Sequence, residues 1–427
     1  MKTIKYSIIL IVALASLIAC NNTKDKQQKS NLKDTAYEAF IYAYPLMEQV
    51  KTMNGMFEFM DLKPNVTTMS DEFPMDNVGM PIVAPNLTSM TGGIFIDISD
   101  GPVTVEIPEV KDRYIVYQCI DVFTHNFFYM GTQGNNGEAG QFTFYNKKQK
   151  LTENSETTAV LMEGDFAIIV LRIDIKDRSE LDHVRDIQSN IKIVNAPTKT
   201  REYPKYDEEK AFSSLFVEYV NELLTEIPES ETEEFKRFAS IGIMNEVNLS
   251  EAELAEVQAG IDSALIAIGG AFKSLEIGNG YISATGAFGS REFLNKNYLI
   301  RAAGAKFGLW GNSQDQASYF MFKAEGEGEL RFEKDELPPL SDVGFWSITV
   351  HDKDGLVHKN EFDSYVLTMD QMKFNEDGSL VLKISPKPEE GNWLYTSGDE
   401  MVVWIRAYQA DPEKIGTYVP PAFVERK

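Results

Sequence analysis

Residues 345–360 read FWSITVHDKDGLVHKN and contain the strongest fold signal in the chain. A run of apolar and β-branched residues reaches an Asp354-Gly355 turn and then continues, which is typical of a β-hairpin. A second turn of the same chemistry follows at Asp377-Gly378, and the apolar stretch NWLYTSGDEMVVWIRAY follows at residues 392–408. The C-terminal third is therefore predicted to be an antiparallel β region.

An earlier region of the chain matches this one. Residues 114–121 (YIVYQCID) align without a gap with residues 345–352 (FWSITVHD). Residues 164–172 (GDFAIIVLR) align in the same way with residues 398–406 (GDEMVVWIR), at a similar separation. The ordered pair of matches favours duplication of one β domain. A β-sandwich or jelly roll is the economical way to bury such alternating strands.

Helical periodicity marks two other regions, residues 32–55 and residues 207–274. Small residues from Ala267 to Ala271 are interpreted as allowing close helix packing, and a further helix is predicted from about Glu292 to Phe307. The predicted fold class is α+β and mainly β. It has two similar antiparallel β-sandwich or jelly-roll-like domains, with a helical insert between them and an N-terminal helix.

A chain of 427 residues is too long for one ordinary hydrophobic core. The patterns above predict five segments. They are a signal peptide over residues 1–19, a flexible tether over 20–31, a first β domain with the N-terminal helix over 32–200, a helical insert over 205–275, and a second β domain over 276–427.

The first twenty residues, MKTIKYSIILIVALASLIAC, resemble a bacterial lipoprotein signal. Lys2 and Lys5 precede an apolar run that is shorter than the roughly 20 residues needed to cross a bilayer. Cleavage before Cys20 and lipidation of its thiol would anchor the body to a membrane, whereas an ordinary signal peptide is the alternative. Asn21 is not an aspartate-type inner-membrane retention signal, so an outer-membrane lipoprotein of the cell envelope is expected, on its periplasmic or external face. No later stretch is predicted to span a membrane.

Charge and cysteine content limit the partners. The chain has 41 basic and 65 acidic residues and a formal net charge of −24. Such a surface repels nucleic acid, so nucleic-acid binding is excluded, and a solvated acidic surface is the simplest interpretation. With Cys20 lipidated, only Cys119 remains and no internal disulfide is possible. Cys119 lies in an apolar strand and is predicted to be a buried hydrophobe.

Three residues are candidates for catalysis. Asp121 and His125 are four residues apart at the end of a strand, and an acid/base pair of this kind would suit hydrolysis. A structural hydrogen bond between them is the alternative. Arg301 lies on the predicted helix and fits a structural or a catalytic role. No G-x-S-x-G elbow is present, so nothing supports a nucleophilic hydrolase.

Three other residues are candidates for ligand binding. The matched Arg172 and Arg406 end apolar strands, where a buried guanidinium needs a carboxylate such as Asp121 or Asp352. Binding of a substrate anion by these arginines is the alternative. Trp393 is a candidate stacking platform for a sugar or an aromatic ligand, although most tryptophans in β-sandwiches belong to the core.

A metal site is not predicted, although one arrangement is conceivable. His351 and His358 flank the hairpin turn and could face each other near Asp352 and Asp354. A solvated hairpin end is the simpler interpretation. No cofactor is indicated.

Several motifs in order resemble the bacterial DUF1254/DUF1214 proteins: AYEAFIYAYPL, VTVEIPEVKDRYIVYQCIDVFTHNFFYMG, YLIRAAGAKFGL, FWSITVHDKDG, FNEDGSLVLKIS, NWLY and the closing VPPAF. The resemblance places DUF1254 over roughly residues 35–200 and DUF1214 over roughly residues 275–425. It implies a two-part, β-rich protein, exported or cytosolic, with no generally assigned reaction. The family often carries Asn-x-Asp-Thr-x-Tyr before its first strands, whereas residues 86–91 read NLTSMT, so a pocket built there would be altered.

Three functions remain open. The first is a lipid-anchored protein that binds a small molecule or glycan between two β domains. The second is a hydrolase-like or other enzyme acting on a small envelope substrate, and the third is a structural or assembly lipoprotein. An enzyme predicts a pocket with converging titratable groups, whereas a binding protein predicts an aromatic or apolar cleft without them.

Overall fold

The computed structural model describes residues 32–59, 61–79, 84–151, 156–224 and 229–426. The predicted signal peptide, the tether and Cys20 lie outside these residues. By its contacts the chain forms two compact units. One consists of the described residues up to Met47 together with Tyr206–Ile268, and the other of Glu48–Lys205 together with Gly269–Lys427.

The described residues contain eight α-helices. They are α1 (residues 32–59), α2 (Leu181–Ser189), α3 (Glu208–Ala211), α4 (Phe216–Leu224), α5 (Glu229–Lys236), α6 (Glu251–Gly270), α7 (Arg291–Leu294) and α8 (Tyr298–Phe307).

The first unit is helical and has an aromatic core. Phe40 of α1 meets Phe216 of α4 at a ring-centroid distance of 5.4 Å. The Tyr42 hydroxyl donates a 2.6 Å hydrogen bond to the buried carboxylate of Glu231 in α5. Helix α6 packs closely against α1 at Gly260, where the absence of a side chain leaves room for the Lys33 carbonyl. A Cβ at this position would collide with that carbonyl. The predicted helical character of this region is therefore present.

One helical segment among the described residues, Glu251–Leu275, is long and apolar enough to cross a membrane by length and composition. This differs from the expectation that no later stretch would meet that criterion. The core helix of a soluble protein meets it too, and Val257, Ile261 and Ala264 are buried within this unit. The finding is weak evidence for a span.

Two predicted helical stretches are interrupted. Residues 207–224 contain α3 and α4, separated by turns at residues 212–215. The helix predicted from Glu292 to Phe307 is divided into α7 and α8, because the Asn297 side chain caps the first turn of α8 by accepting from the Ile300 amide. Periodicity alone does not detect such a cap within an apolar stretch.

Nineteen strands are present in the described residues. The first β domain contains β1 (Thr67–Met69), β2 (Ser89–Asp97), β3 (Val103–Ile107), β4 (Ile115–Asp121), β5 (Asn126–Gly131), β6 (Gly140–Tyr145), β7 (Thr157–Leu161), β8 (Phe166–Asp174) and β9 (Lys192–Asn195). The second contains β10 (Glu276–Gly278), β11 (Tyr281–Ser283), β12 (Ala317–Ala324), β13 (Gly328–Phe332), β14 (Leu340–Asp352), β15 (Val366–Thr368), β16 (Leu380–Ser385), β17 (Asn392–Tyr395), β18 (Met401–Ala410) and β19 (Val424–Glu425).

The strands form two sandwiches of two sheets each. In the first, the sheet β1-β2-β8-β4-β5 packs on β7-β6-β3-β9, and in the second, β10-β11-β12-β18-β14-β15 packs on β17-β16-β13-β19. Buried aliphatic and aromatic side chains from both sheets fill each core. The predicted α+β fold class, with two β-rich domains, is confirmed. One detail differs, since β6–β7 and β16–β17 pair in parallel.

The two sandwiches share their register as well as their strand order. Asp121 of β4 pairs with Ala167 of β8, and Asp352 of β14 pairs with Met401 of β18. These are the positions that the sequence alignment equates in both strands. A one-residue slip would move every side chain to the opposite face, so matched register is strong support for duplication.

The Asp354-Gly355 turn is present. The Asp352 side chain accepts hydrogen bonds from the backbone amides of Asp354 and Leu356, at 2.9 and 2.8 Å. Gly355 has φ 81°, a left-handed conformation that glycine adopts without Cβ strain. The return strand is not immediate, because β14 pairs with β15 after a loop over residues 357–365.

The first domain makes the same turn without an Asp-Gly pair. The Asp121 side chain accepts from the amides of Phe123 and His125, at 2.8 and 2.9 Å. Thr124 takes the left-handed φ of 69° that Gly355 takes in the second domain. Turn composition alone misses this turn, and the alignment with residues 345–352 locates it.

The interpretation of residues 267–271 as a close-packing segment is wrong for its glycines. Outside the adjoining residues and the backbone of the same helix, no described atom lies within 4 Å of a Cβ built at Gly269 or Gly270. At Gly260, by contrast, such a Cβ would lie 2.4 Å from the Lys33 carbonyl oxygen and 2.8 Å from the Ala36 side chain. We expect Gly260→Ala to lower the free energy of unfolding by about 1–3 kcal/mol through overpacking. Urea denaturation followed by circular dichroism measures the change.

Gly269→Ala on the same helix is the matched control. It removes a flexible residue without a steric cost, so the free energy of unfolding should stay constant or rise by up to about 1 kcal/mol. Equal effects of the two substitutions would contradict close packing at Gly260.

Candidate functional site

One of the matched arginines holds a segment of the opposite β domain. Arg406 of β18 is 5% exposed. Its Nη1 donates to Thr349 Oγ1 at 3.1 Å, and its Nη2 donates to the backbone oxygen of Ala84 at 3.0 Å. Ala84 precedes β2, so an arginine of the second domain is bound by the backbone of the first.

The other arginine makes the reciprocal contacts. Arg172 of β8 donates from Nη1 to Gln118 Oε1 at 2.6 Å and from Nη2 to the backbone oxygen of Trp310 at 2.8 Å. Gln118 and Thr349 are equivalent positions in the alignment. Ala84 and Trp310 both have left-handed backbones, with φ of 49° and 67°. Each domain therefore binds a loop of the other domain through its own copy of the matched arginine.

The predicted carboxylate partners of these arginines are wrong. In the described part of the chain, no carboxylate oxygen lies within 4 Å of Arg172 or Arg406. Asp121 is bonded to His125 instead, and Asp352 to His358. Amide, hydroxyl and carbonyl oxygens take the carboxylate's place. Burial lowers the pKa of Arg406, which is the cost of holding a guanidinium without a counter-charge.

The three catalytic candidates lie together in the interior. Asp121 Oδ2 is 3.0 Å from His125 Nδ1, and His125 Nε2 is 2.7 Å from Nη1 of Arg301 on α8. His125 and Arg301 are each 1% exposed. The structure thus brings together two strand-end residues of the first domain and a helical residue of the second.

The hydrogen-bond directions in this chain are fixed by chemistry. Arginine only donates, so Nε2 of His125 accepts from Arg301 and its Nδ1–H donates to Asp121. The imidazole is therefore neutral, with its one acceptor nitrogen occupied. His125 can act as a general base only if Arg301 moves away. The arrangement is therefore better suited to a structural role than to proton transfer.

Asp121 is the anionic end of this chain. Burial by itself raises the pKa of its carboxyl group, but the hydrogen bonds that His125 donates from its ring and its backbone amide, with the nearby guanidinium of Arg291, outweigh that and hold the pKa below its ordinary value. Arg291 Nη2 lies 3.7 Å from Asp121 Oδ2 and also pairs with Glu163. A charge network therefore joins α7 to the first domain.

A polar seam links this region to the surface. Asn126, directly after His125, accepts from Gln118 Nε2 at 2.8 Å and donates to the Gly311 carbonyl and Ser313 Oγ, both at 3.1 Å. Tyr129 donates to Ser313 Oγ at 3.1 Å and accepts from the Ser313 amide at 2.9 Å. Burial raises the pKa of Tyr129, so its hydroxyl stays protonated.

The seam forms the floor of a cleft of about 650 Å³ between the two β domains. Five of its twelve described lining residues are aromatic, and Asp315 is the only Asp, Glu, Lys, Arg or His among them. The lining consists of Asn126, Phe127, Phe128, Tyr129, Phe288, Gly289, Ser290, Phe293, Ser313, Gln314, Asp315 and Pro412.

The corresponding loop in the other half of the interface between the β domains is buried. Thr91 pairs with Arg172, and Tyr319 pairs with Arg406, so the two are equivalent. The loops before them differ in length, because the arginine contact Ala84 lies seven residues before Thr91 and the contact Trp310 lies nine residues before Tyr319. Leu87 belongs to a buried apolar cluster, whereas Asp315 is exposed in the cleft. The cluster contains Val78, Leu87, Val357 and Tyr365.

Sequence reasoning did not single out the cleft residues. Its candidate Trp393 is absent from the lining and donates instead to the Ser385 carbonyl and hydroxyl, at 3.2 and 2.9 Å. The signal that was available is the repeat, because the loops before the equivalent strands β2 and β12 differ in character, with Leu87 in one and Asp315 in the other. The segment 86–91 joins the domains through Asn86, whose Nδ2 donates to the Tyr408 hydroxyl at 3.0 Å.

His351 and His358 do not form a site together. His351 is 2% exposed, and burial, followed by the charge of Arg406, lowers its pKa to about 3. His358 is exposed and contacts Asp352 Oδ2 through Nε2 at 2.5 Å. Among the described residues, no group of three or more His, Cys, Asp or Glu side chains could hold a metal ion.

His351 should make stability pH-dependent. In the unfolded chain it takes up a proton below about pH 6.5, while the folded protein excludes that proton until about pH 3. As the pH is lowered from 6.5 to 4, the free energy of unfolding of the wild type should therefore fall relative to that of His351→Gln. The slope of this fall should reach about 1.4 kcal/mol per pH unit. Urea denaturation across that range measures the difference.

Comparison with the variant cancels other groups that titrate in the same range, such as Asp174, whose pKa burial raises to about 6. His183→Gln changes an exposed histidine and is the control. Parallel pH profiles for the wild type and His351→Gln would contradict a buried neutral His351.

A known crystal structure shares this fold. The crystal structure of the VPA0106 protein from Vibrio parahaemolyticus matches 93% of this chain and 100% of its own, with a TM-score of 0.73 and 20% sequence identity. A likeness at that identity shows the fold alone. An uncharacterized protein from Burkholderia cenocepacia matches 93% of this chain and 95% of its own, with a TM-score of 0.44 and 10% identity. No curated protein gives a significant match.

Two family models match the β domains. The model "Protein of unknown function (DUF1254)" covers residues 64–195, and "Protein of unknown function (DUF1214)" covers residues 314–412. Both ranges lie inside the segments that the sequence resemblance assigned to them, so the resemblance is confirmed. The chain is a DUF1254/DUF1214 domain-containing protein.

Proposed function

We propose that this protein is a lipid-anchored cell-envelope protein that binds a small molecule or glycan in the cleft between its two β domains. The observation that carries the proposal is the cleft itself, with aromatic rings from both domains around a polar floor. Its volume of about 650 Å³ lies in the range typical of small-molecule sites.

Hydrogen bonds already order the floor of the cleft, which favours binding. The side chains of Asn126, Tyr129 and Ser313 already hydrogen-bond one another or the backbone. A ligand therefore meets a prearranged surface and loses little free energy in ordering it. Phe293 is 45% exposed and offers a ring face for stacking against a sugar or an aromatic group.

An enzyme acting on a small envelope substrate is the second candidate. The convergence of Asp121, His125 and Arg301 supports it, because such groups are those that hydrolysis needs. The occupied Nε2 and the 1% exposure of His125 weigh against it. None of the three side chains lines the cleft, so binding is the better-supported function.

Phe293→Ala should weaken ligand binding in the cleft while leaving the fold intact. Loss of one stacking ring costs about 0.5–1.5 kcal/mol, which corresponds to a dissociation constant about twofold to tenfold higher. The wild type is first screened by thermal shift against neutral oligosaccharides and small aromatic compounds. Isothermal titration calorimetry then measures the affinity of both proteins for each compound that binds.

Phe374→Ala is the matched control, because Phe374 is 42% exposed and does not line the cleft. Its affinity should equal that of the wild type. Ligands that bind the wild type and Phe293→Ala equally, or no binding across the whole panel, would argue against the cleft as a binding site.

The lipid anchor is tested separately. Cys20→Ala removes the thiol that would carry the lipid, so the protein should move from the membrane fraction to the soluble fraction or accumulate unprocessed. Cys119→Ala is the control, because Cys119 is buried in the first sandwich. Unchanged membrane association of Cys20→Ala, measured by fractionation and immunoblotting, would refute the anchor. Fractionation of the wild type into inner and outer membranes tests the proposed outer-membrane location.

A further inference from the structure

The charge of the cleft restricts its ligand. Asp315 is exposed in the lining, and the lining has no lysine, arginine or histidine among the described residues. The Asp315 carboxylate accepts one hydrogen bond, from Gln316 Nε2 at 2.9 Å. No described cationic side chain lies within 4 Å of it, so its charge has no ion-pair partner there.

We propose that the cleft binds an organic cation, namely an amine or quaternary ammonium group carried on an apolar body. This inference rests on the proposed binding function and names the ligand class. A cation is attracted to aromatic faces through the ring quadrupole, and it is attracted directly to a carboxylate. Phe288, Phe293 and Tyr129 supply rings in the same cleft as Asp315.

The internal repeat supports a specific role for this charge. In the equivalent loop of the first domain, Leu87 helps close the other half of the interface with apolar side chains. The loop that carries Asp315 instead leaves its half open and negatively charged, which a residue that merely filled the interface would not do.

The net charge of the whole molecule also favours a cationic ligand. The formal net charge of −24 gives a negative potential that attracts cations and repels anions, most strongly at low ionic strength. An anionic ligand would have to approach Asp315 without a basic residue in the lining to offset the repulsion.

Three probes of one ring and similar size test the assignment: benzylamine, benzyl alcohol and benzoate, which are cationic, neutral and anionic at pH 7. In isothermal titration calorimetry at low salt, the wild type should bind benzylamine most tightly, benzyl alcohol less tightly and benzoate least tightly. In Asp315→Asn, the dissociation constant for benzylamine should rise about threefold to tenfold, while that for benzyl alcohol stays constant.

Asp399→Asn is the matched control. Asp399 is also exposed, accepts one side-chain hydrogen bond from Ser397, and precedes β18, whereas the cleft residue Pro412 follows the other end of that strand. Asp399→Asn changes the net charge by the same amount as Asp315→Asn, and it should leave the preference for benzylamine over benzyl alcohol intact.

The outcomes separate the two proposals. Equal wild-type affinity for benzylamine and benzyl alcohol, or a preference that survives in Asp315→Asn, overturns the cation assignment. Tight binding of a neutral glycan that Phe293→Ala weakens would also overturn it, while supporting the binding function. Absence of binding by all three probes and by the neutral oligosaccharides overturns both.

Discussion

The reciprocal arginines are the constraint on which the arrangement of the β domains depends. Arg172 and Arg406 each bind one side chain on the neighbouring strand of their own domain and a backbone carbonyl of the other. A guanidinium buried without a carboxylate is costly, and several oxygen acceptors in fixed positions are needed to offset that cost. Separating the domains would leave both guanidinium groups and both loop carbonyls without these bonds, so the interface favours one geometry strongly.

Two equivalent halves of an interface need not keep equivalent roles. On one side, Leu87 and its apolar neighbours bury the space beside the arginine contact. On the other, the loop that carries Ser313 and Asp315 leaves a cleft. The first half contributes apolar burial between the domains, whereas the second half remains open. A duplicated domain can in this way supply the scaffold from one copy of a contact and a ligand site from the other.

The sequence predicted much of the fold because duplication left a readable trace. The ungapped matches of residues 114–121 to 345–352 and of residues 164–172 to 398–406 gave the register that the strands adopt, and the second match placed Arg172 and Arg406 in equivalent positions. The partners of those arginines were not predictable, because backbone carbonyls have no sequence signature. The cleft residue Asp315 comes from a turn and Phe293 from the four-residue helix α7, and neither is long enough to show a periodicity. The Asn297 cap, which divides one predicted helix, was hidden by the apolar pattern around it.

The Asp121–His125–Arg301 chain shows why a catalytic residue set must be judged by its hydrogen bonds. All three side chains were singled out from sequence, and they lie in one chain. Yet Arg301 occupies the only acceptor nitrogen of the imidazole. His125 does not line the cleft, whereas its neighbour Asn126 does. By holding His125 between an anion and a cation, the chain fixes the start of β5, from which Asn126 and Tyr129 extend to Ser313. A buried charged chain of this kind positions a binding surface, and it does so without any proton having to move.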